Sequence, residues 1–242
     1  MSCNEYASYF VQHPAVNQLV RYLDKTAGRE KTLRLLQYLC RLLGALQTPS
    51  PASNALRLAA QFALTRKLLR FLKPLNHLQT AAQLHANTLL ADPVARCLGV
   101  LRQLGYAAYL TLDQVNLLRI LRILPATPTT AKRVPRWANW CWALALASSL
   151  LLDGRKVQVA RAKIAELSAA TESGDDEKRS AARRDAEAQQ HGALRKLAWD
   201  ALDALIVANN LGFVASGEQY VGAAGVVTSL MGVREVWQGC AK

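Results

Sequence analysis

The chain has 242 residues, half of them hydrophobic but only 7% aromatic, and carries 30 Lys and Arg against 17 Asp and Glu, a net charge of +13. The basic excess sits in residues 1–134, where 17 Lys and Arg face 5 Asp and Glu. Such a half should meet an acidic partner, and without aromatic stacking patterns or helix-turn-helix spacing that partner is an anionic membrane surface rather than nucleic acid.

Leu and Ala dominate, β-branched residues are sparse and Pro residues fall between apolar runs, so the fold class is all-α. At most a short extended piece is expected, near Gln219 to Val227, where Gly, Val and Tyr concentrate.

In chain order, the first strong element is Glu30 to Leu46. At 100° per residue Leu33, Leu35, Leu36, Leu39, Cys40, Leu42, Leu43 and Leu46 fill one half of the helix, and Lys31, Arg34, Gln37 and Arg41 the other. Gly28 offers a turn before it, and Pro49 and Pro51 close it. Two readings stand: a helix lying in a headgroup layer, or a core-facing helix with a solvated basic face.

A second helix runs from Ser53 to Lys73, capped by Ser53 or Asn54 and stopped by Pro74. Leu58, Phe62, Leu69 and Leu72 share a narrow arc beside Arg66, Lys67 and Arg70, while Leu56, Leu64 and Phe71 fall on the far side. Leu75 to Leu90 gives a shorter helix. Asp92-Pro93 then opens a long one, with Asp as cap and Pro in the first turn, running toward Leu124.

Pro125, Pro128 and Pro135 mark a linker ending in Lys132, Arg133 and Arg136. Trp137 to Leu152 follows without a charge, with Trp137, Trp140 and Trp142 at one end and cations beyond both ends. This pattern suits a bilayer-spanning helix, although 16 residues fall short of the roughly 20 that a span needs, and a buried helix is the alternative. Arg155 to Gly192 reads as charged helical arms around a solvated loop at Ser173-Gly174-Asp175-Asp176. Leu194 to Val214 is apolar on one side, with Arg195, Lys196, Asp200 and Asp203 on the other. Beyond Gly217 and Glu218, Tyr220 to Val233 is a second uncharged run, and Gly217, Gly222 and Gly225 would let another helix approach closely, as in membrane-helix association and oligomerisation. The division is thus a basic amphipathic region (1–124), a Pro-rich linker (125–136), a hydrophobic span (137–153), charged arms (154–193) and C-terminal membrane-associated helices (194–242).

No residue pattern points to catalysis, a metal or a cofactor. Gly28-Arg29-Glu30-Lys31-Thr32 lacks the spaced glycines and preceding strand of a phosphate loop. His13, His77, His85 and His191 lack zinc-protease spacing, and there is no Gly-x-Ser-x-Gly elbow. Cys3, Cys40, Cys97, Cys141 and Cys240 form neither a disulfide framework nor a CxxC site, which suits a reducing compartment. Met1 to Val20 has no secretory-signal character, and Cys240-Ala241-Lys242 is not the Ser-Lys-Leu type of peroxisomal matrix address.

Leu23-Asp24-Lys25-Thr26-Ala27-Gly28-Arg29-Glu30-Lys31, followed by Leu33-Arg34-Leu35-Leu36-Gln37-Tyr38, resembles the N-terminal signature of the peroxin-eleven family. Arg66 to Lys73, the block from Gly105-Tyr106 to Asp113, the Trp-rich helix and the small-residue C-terminal run agree in order; Thr171 to Gln190 shows no family pattern. The resemblance implies a peroxisomal membrane protein, not an enzyme, that elongates the membrane before division and so sets organelle number. It also implies self-assembly into a homo-oligomer and recruitment of fission machinery with a dynamin-type GTPase. It places the membrane-binding amphipathic helix at Ala55 to Lys73, with Arg57, Arg66, Lys67, Arg70 and Lys73, whereas the helical wheel favours Glu30 to Leu46. A pore for small metabolites, with the basic residues lining an anion-attracting vestibule, is the rival reading.

Overall fold

A computed structural model describes residues 11–46, 54–87, 92–169 and 176–241. Within them the chain is all helix, apart from short turns and connections. The helices are α1 (Pro14–Asp24), α2 (Thr26–Leu46), α3 (Asn54–Leu69), α4 (Pro74–Ala86), α5 (Pro93–Ile120), α6 (Val134–Ala169), α7 (Asp176–Leu211) and α8 (Glu218–Gln238). A π-helical turn, Thr129–Arg133, precedes α6. The expected features at Cys3, Pro49, Pro51, Ser53 and 173–175 lie outside the described residues.

The helices form two compact units. One comprises residues 1–71 and 215–242, the other residues 72–214. In the first, α2 lies between α3 and α8, and α1 packs on α2 and α8. In the second, α5 packs on α4 and α6, and α6 on α7.

Several boundaries follow from local chemistry. The Asp92 carboxylate accepts from the amides of Val94 (3.0 Å) and Ala95 (3.3 Å), satisfying two of the donors that every helix start leaves over, and Pro93 begins α5 where no amide is needed. The α1–α2 turn falls at Lys25, in extended backbone, rather than at Gly28. Gly28 is inside α2 because the chain doubles back there: a Cβ at this position would collide with the Tyr22 carbonyl.

The segment from Gln219 to Val227, expected to hold an extended piece, is helical instead. Its glycines serve close packing rather than strand geometry. A Cβ on Gly222 would come within 2.9 Å of the Leu42 Cα, and one on Gly225 would overlap the Tyr38 ring, so α8 reaches α2 only because both side chains are missing. In the second unit Gly105 does the same for α5 against α6, where a Cβ would lie 3.0 Å from the Ala145 amide nitrogen.

Among the described residues no helix is long and apolar enough to cross a membrane. The crossing expected of Trp137 to Leu152 and Tyr220 to Val233 is not confirmed by these helices. The apolar residues of α6 make a stripe, not a cylinder, because Ser148, Ser149 and Asp153 take the inward side, and Thr228 and Ser229 do the same in α8.

Candidate functional site

The interior of the first unit is polar. Glu30, Arg34 and Tyr38 recur every fourth residue, one face of α2, and all three are buried. Glu30 is 4% exposed and its Oε1 accepts from Arg66 Nε (2.9 Å) and Nη2 (2.7 Å), a two-pronged ion pair between α2 and α3. The remaining Arg66 prong donates to Gln37 Oε1 at 2.6 Å. Arg34 donates from Nη2 to Thr228 Oγ1 of α8 at 3.0 Å and, like Arg41, lies over the Tyr38 ring at 5.6 Å. Arg41 also reaches Glu218 Oε2 at the start of α8, at 2.7 Å.

Burial by itself would raise the Glu30 carboxyl. The Arg66, Lys31 and Arg70 charges, with the Arg66 hydrogen bond, outweigh it and bring the carboxyl down to about 2. The same burial lowers Arg66, opposed chiefly by the Glu30 charge.

With the polar face turned in, part of the leucine face of α2 is turned out, while Leu33, Leu35, Leu39 and Leu42 are half-buried. Leu36, Leu43 and Leu46 are exposed, Leu43 by 52% and Leu46 by 69%. On α8, Tyr220, Val227 and Leu230 point outward while Thr228 and Ser229 are fully buried. Of the two readings of Glu30 to Leu46, the core-facing one with a solvated basic face is therefore reversed. The polar positions mark the inside, and the outermost leucines, Leu36, Leu43 and Leu46, the outside.

The second unit repeats the pattern. Trp137, Trp140, Leu144 and Leu151, at steps of three, four and seven, form an exposed stripe on α6, opposite the buried Ala138, Ala145, Ser149 and Asp153. Phe213, at the end of α7, adds its ring edge-on to Trp140 at 5.5 Å. Asp203 is buried, and the Asp200 carboxylate accepts a short hydrogen bond from Ser149, so α7 also puts carboxylates inward while Leu194 is exposed. A protein bathed only in water puts such groups the other way round, and contiguous exposed apolar faces of this kind mark contact with lipid or another protein.

On α3 and the turn after it, Arg57, Leu58, Leu72 and Lys73 are exposed, while Phe62, Lys67, Leu69 and Arg70 are half-buried. Arg66 is turned inward to Glu30. The outward apolar residues that the sequence reading put on the wrong side or passed over are Phe71 and Leu68. Spacing could have found Leu68, four residues before Leu72 and so about 40° from it on the wheel. Gly222 and Gly225 face α2 of the same chain, and Gly217 caps α8, with the Gln219 side chain close to it. Among the described residues no group of three or more His, Cys, Asp or Glu side chains could hold a metal ion.

Comparison with known proteins agrees across the chain. The profile of the family Peroxisomal biogenesis factor 11 (PEX11) matches residues 16–237. The chain is 51% identical over 231 residues to Peroxisomal membrane protein PMP27 of Saccharomyces cerevisiae, covering 94% of this chain and 97% of that one. It is 28% identical over 247 residues to Peroxisomal membrane protein PMP30B of Candida boidinii, with 94% and 96% covered. It is 25% identical over 240 residues to Peroxisomal biogenesis factor 11 of Schizosaccharomyces pombe, with 94% and 97% covered. No solved structure matches the chain.

Proposed function

Because the chain belongs to the Peroxisomal biogenesis factor 11 family, we propose that it binds the peroxisomal membrane through its outward leucine and tryptophan faces and elongates that membrane before division, so controlling peroxisome number. The observation that carries this reading is the inverted arrangement of α2, with Glu30, Arg34 and Tyr38 inside and Leu36, Leu43 and Leu46 outside. In lipid that arrangement lowers rather than raises the free energy, and the family's membrane setting selects lipid over a protein partner.

The helices act by immersion along one face, not as single apolar spans. Cations such as Arg57 and Lys73 each contribute about 1 kcal/mol near an anionic surface, less as salt rises. Each apolar side chain fully withdrawn from water adds roughly 1.5–3 kcal/mol. Attraction delivers the protein and burial holds it, and area added to one leaflet is relieved as curvature. Many copies are needed to concentrate that curvature into a tubule, which is the place of self-assembly and of a dynamin-type GTPase in this mechanism.

The test is tubulation of anionic vesicles by the full-length protein and by a variant with Leu58→Glu and Leu68→Glu, both exposed and so compatible with folding. Loss of tubulation with unchanged helicity is expected. Equal tubulation refutes the role of α3. A pore for small metabolites is favoured by one feature, the buried Asp113, Ser148, Ser149, Asp153 and Asp203 of the second unit. Conductance in planar bilayers without tubulation would establish it instead.

A further inference from the structure

The second unit holds a pair of carboxyl groups that the membrane reading does not use. Ser149 and Asp153 are four residues apart on one face of α6, about 5–6 Å between Cβ atoms, and both are buried, Asp153 completely. Ser149 Oγ donates to Asp200 Oδ2, so α7 sets Asp200 beside the turn that carries Asp153. Three helices supply the charges that act on Asp200: Asp153 from α6, Arg102 from α5 and Asp203 from α7 itself. Lys156, one turn on from Asp153, donates to Asp153 Oδ1 at 3.0 Å. The other oxygen, Asp153 Oδ2, is sealed from solvent and accepts no hydrogen bond from any described residue. Such an acceptor is costly until a donor reaches it, and a neighbouring carboxyl becomes a donor only by holding a proton. Burial, with the Asp153 and Asp203 charges, raises the Asp200 carboxyl against the Ser149 hydrogen bond and the Arg102 charge.

We propose that Asp153 and Asp200 form a proton-binding pair at the α6–α7 contact, in which a proton on Asp200 is donated to Asp153 Oδ2 while Asp200 still accepts from Ser149. One proton removes the repulsion between two buried carboxylates and also fills the empty acceptor. The titration belongs to the pair rather than to either residue. Because the carboxyl is raised in the folded protein, the stability it contributes is complete below 3.8, the ordinary aspartate value, and is lost as pH rises through the raised one. The contact between the two long helices is therefore latched by a proton and loosens as the proton leaves. The pair is internal to the second unit and independent of what its outward faces meet.

Infrared spectra of the full-length protein in detergent, titrated from acid to alkaline pH, separate a protonated carboxyl from a carboxylate by its C=O stretch. A protonated carboxyl should survive above the range in which ordinary aspartates ionise, vanish in Asp200→Asn, and titrate at lower pH in Asp153→Asn, which removes the repulsion. Asp185→Asn, at an exposed position of α7, should leave it unchanged. Melts of the same samples give a second readout. Asp200→Asn keeps the side-chain shape and offers Asp153 Oδ2 a permanent N–H donor. It should melt about 2–4 °C above wild type at neutral pH and lose the fall in midpoint that wild type shows with rising pH. Absence of a protonated carboxyl above the ordinary range, its full persistence in Asp200→Asn, or an Asp200→Asn midpoint below wild type at neutral pH overturns the pair.

Discussion

Replacing Glu30 by Gln tests the polar interior directly, since the side chain keeps its shape and loses its charge. The Glu30 carboxyl is held at about 2 against 4.5 for an ordinary glutamate, and the difference corresponds to about 3 kcal/mol. The group is depressed in the folded protein, so its contribution is fully present above pH 4.5 and is lost as pH falls toward 2. The Gln variant should therefore unfold with about 3 kcal/mol less stability at neutral pH, or a midpoint some 6–12 °C lower, because Arg66 is left buried without its anion. Thermal melts of full-length protein in detergent, followed by circular dichroism from neutral pH to pH 2, give both quantities. Wild type and variant should converge at the acid end. A second variant, Glu30→Leu with Arg66→Met, replaces the pair by apolar groups and should recover much of the loss. A Gln variant within about 0.5 kcal/mol of wild type at neutral pH, the scatter of ordinary surface changes, would show that the pair does not hold α2 to α3.

Three further outcomes follow from the packing. Gly225→Val should destabilise the first unit by about 1–3 kcal/mol, since the new side chain must displace the Tyr38 ring, and Gly154→Ala, inside α6 with nothing near it, should stabilise by up to about 1 kcal/mol in the same melt. Lipids brominated along the acyl chain should quench the fluorescence of a variant keeping Trp137 and Trp140 as its only tryptophans, and quenching should fall when Phe replaces both in the full set. Alkaline carbonate should leave the wild-type protein in the peroxisomal membrane pellet, whereas Leu43→Glu with Leu46→Glu, both on the outward face of α2, should shift it toward the supernatant.

Helix content and several boundaries were legible in the residues. Asp92-Pro93 opens α5, Pro74 opens α4, and the dominance of Leu and Ala leaves no room for a sheet. What periodicity could not say is which face turns inward. The wheel of α2 separates leucines from charges equally well in either direction, and only Glu30, one carboxylate among cations at the spacing of Arg34 and Tyr38, hinted that the charged side was the interior. The glycines of α8 misled for a related reason. Gly222 and Gly225 weaken a helix locally and so read as extended, yet their value lies in what α2 places against them, which is tertiary information. The run from Trp137 to Leu152 reads as a span or a buried helix, and in the fold Trp137, Trp140 and Leu144 form one exposed stripe of α6. The uncharged run around them overstated it, because Ser148 and Ser149 look innocuous in sequence and are buried beside Asp153 in the fold.

Spin labels placed singly at positions 36, 43 and 46 on α2 of the vesicle-bound protein measure what the outward leucine face meets. Oxygen, which concentrates in acyl chains, should relax these labels strongly while a water-soluble nickel chelate does not, with a label on exposed Lys163 of α6 behaving oppositely. Strong relaxation of positions 36, 43 and 46 by the nickel chelate, with oxygen ineffective, would place the leucines in water and contradict the account.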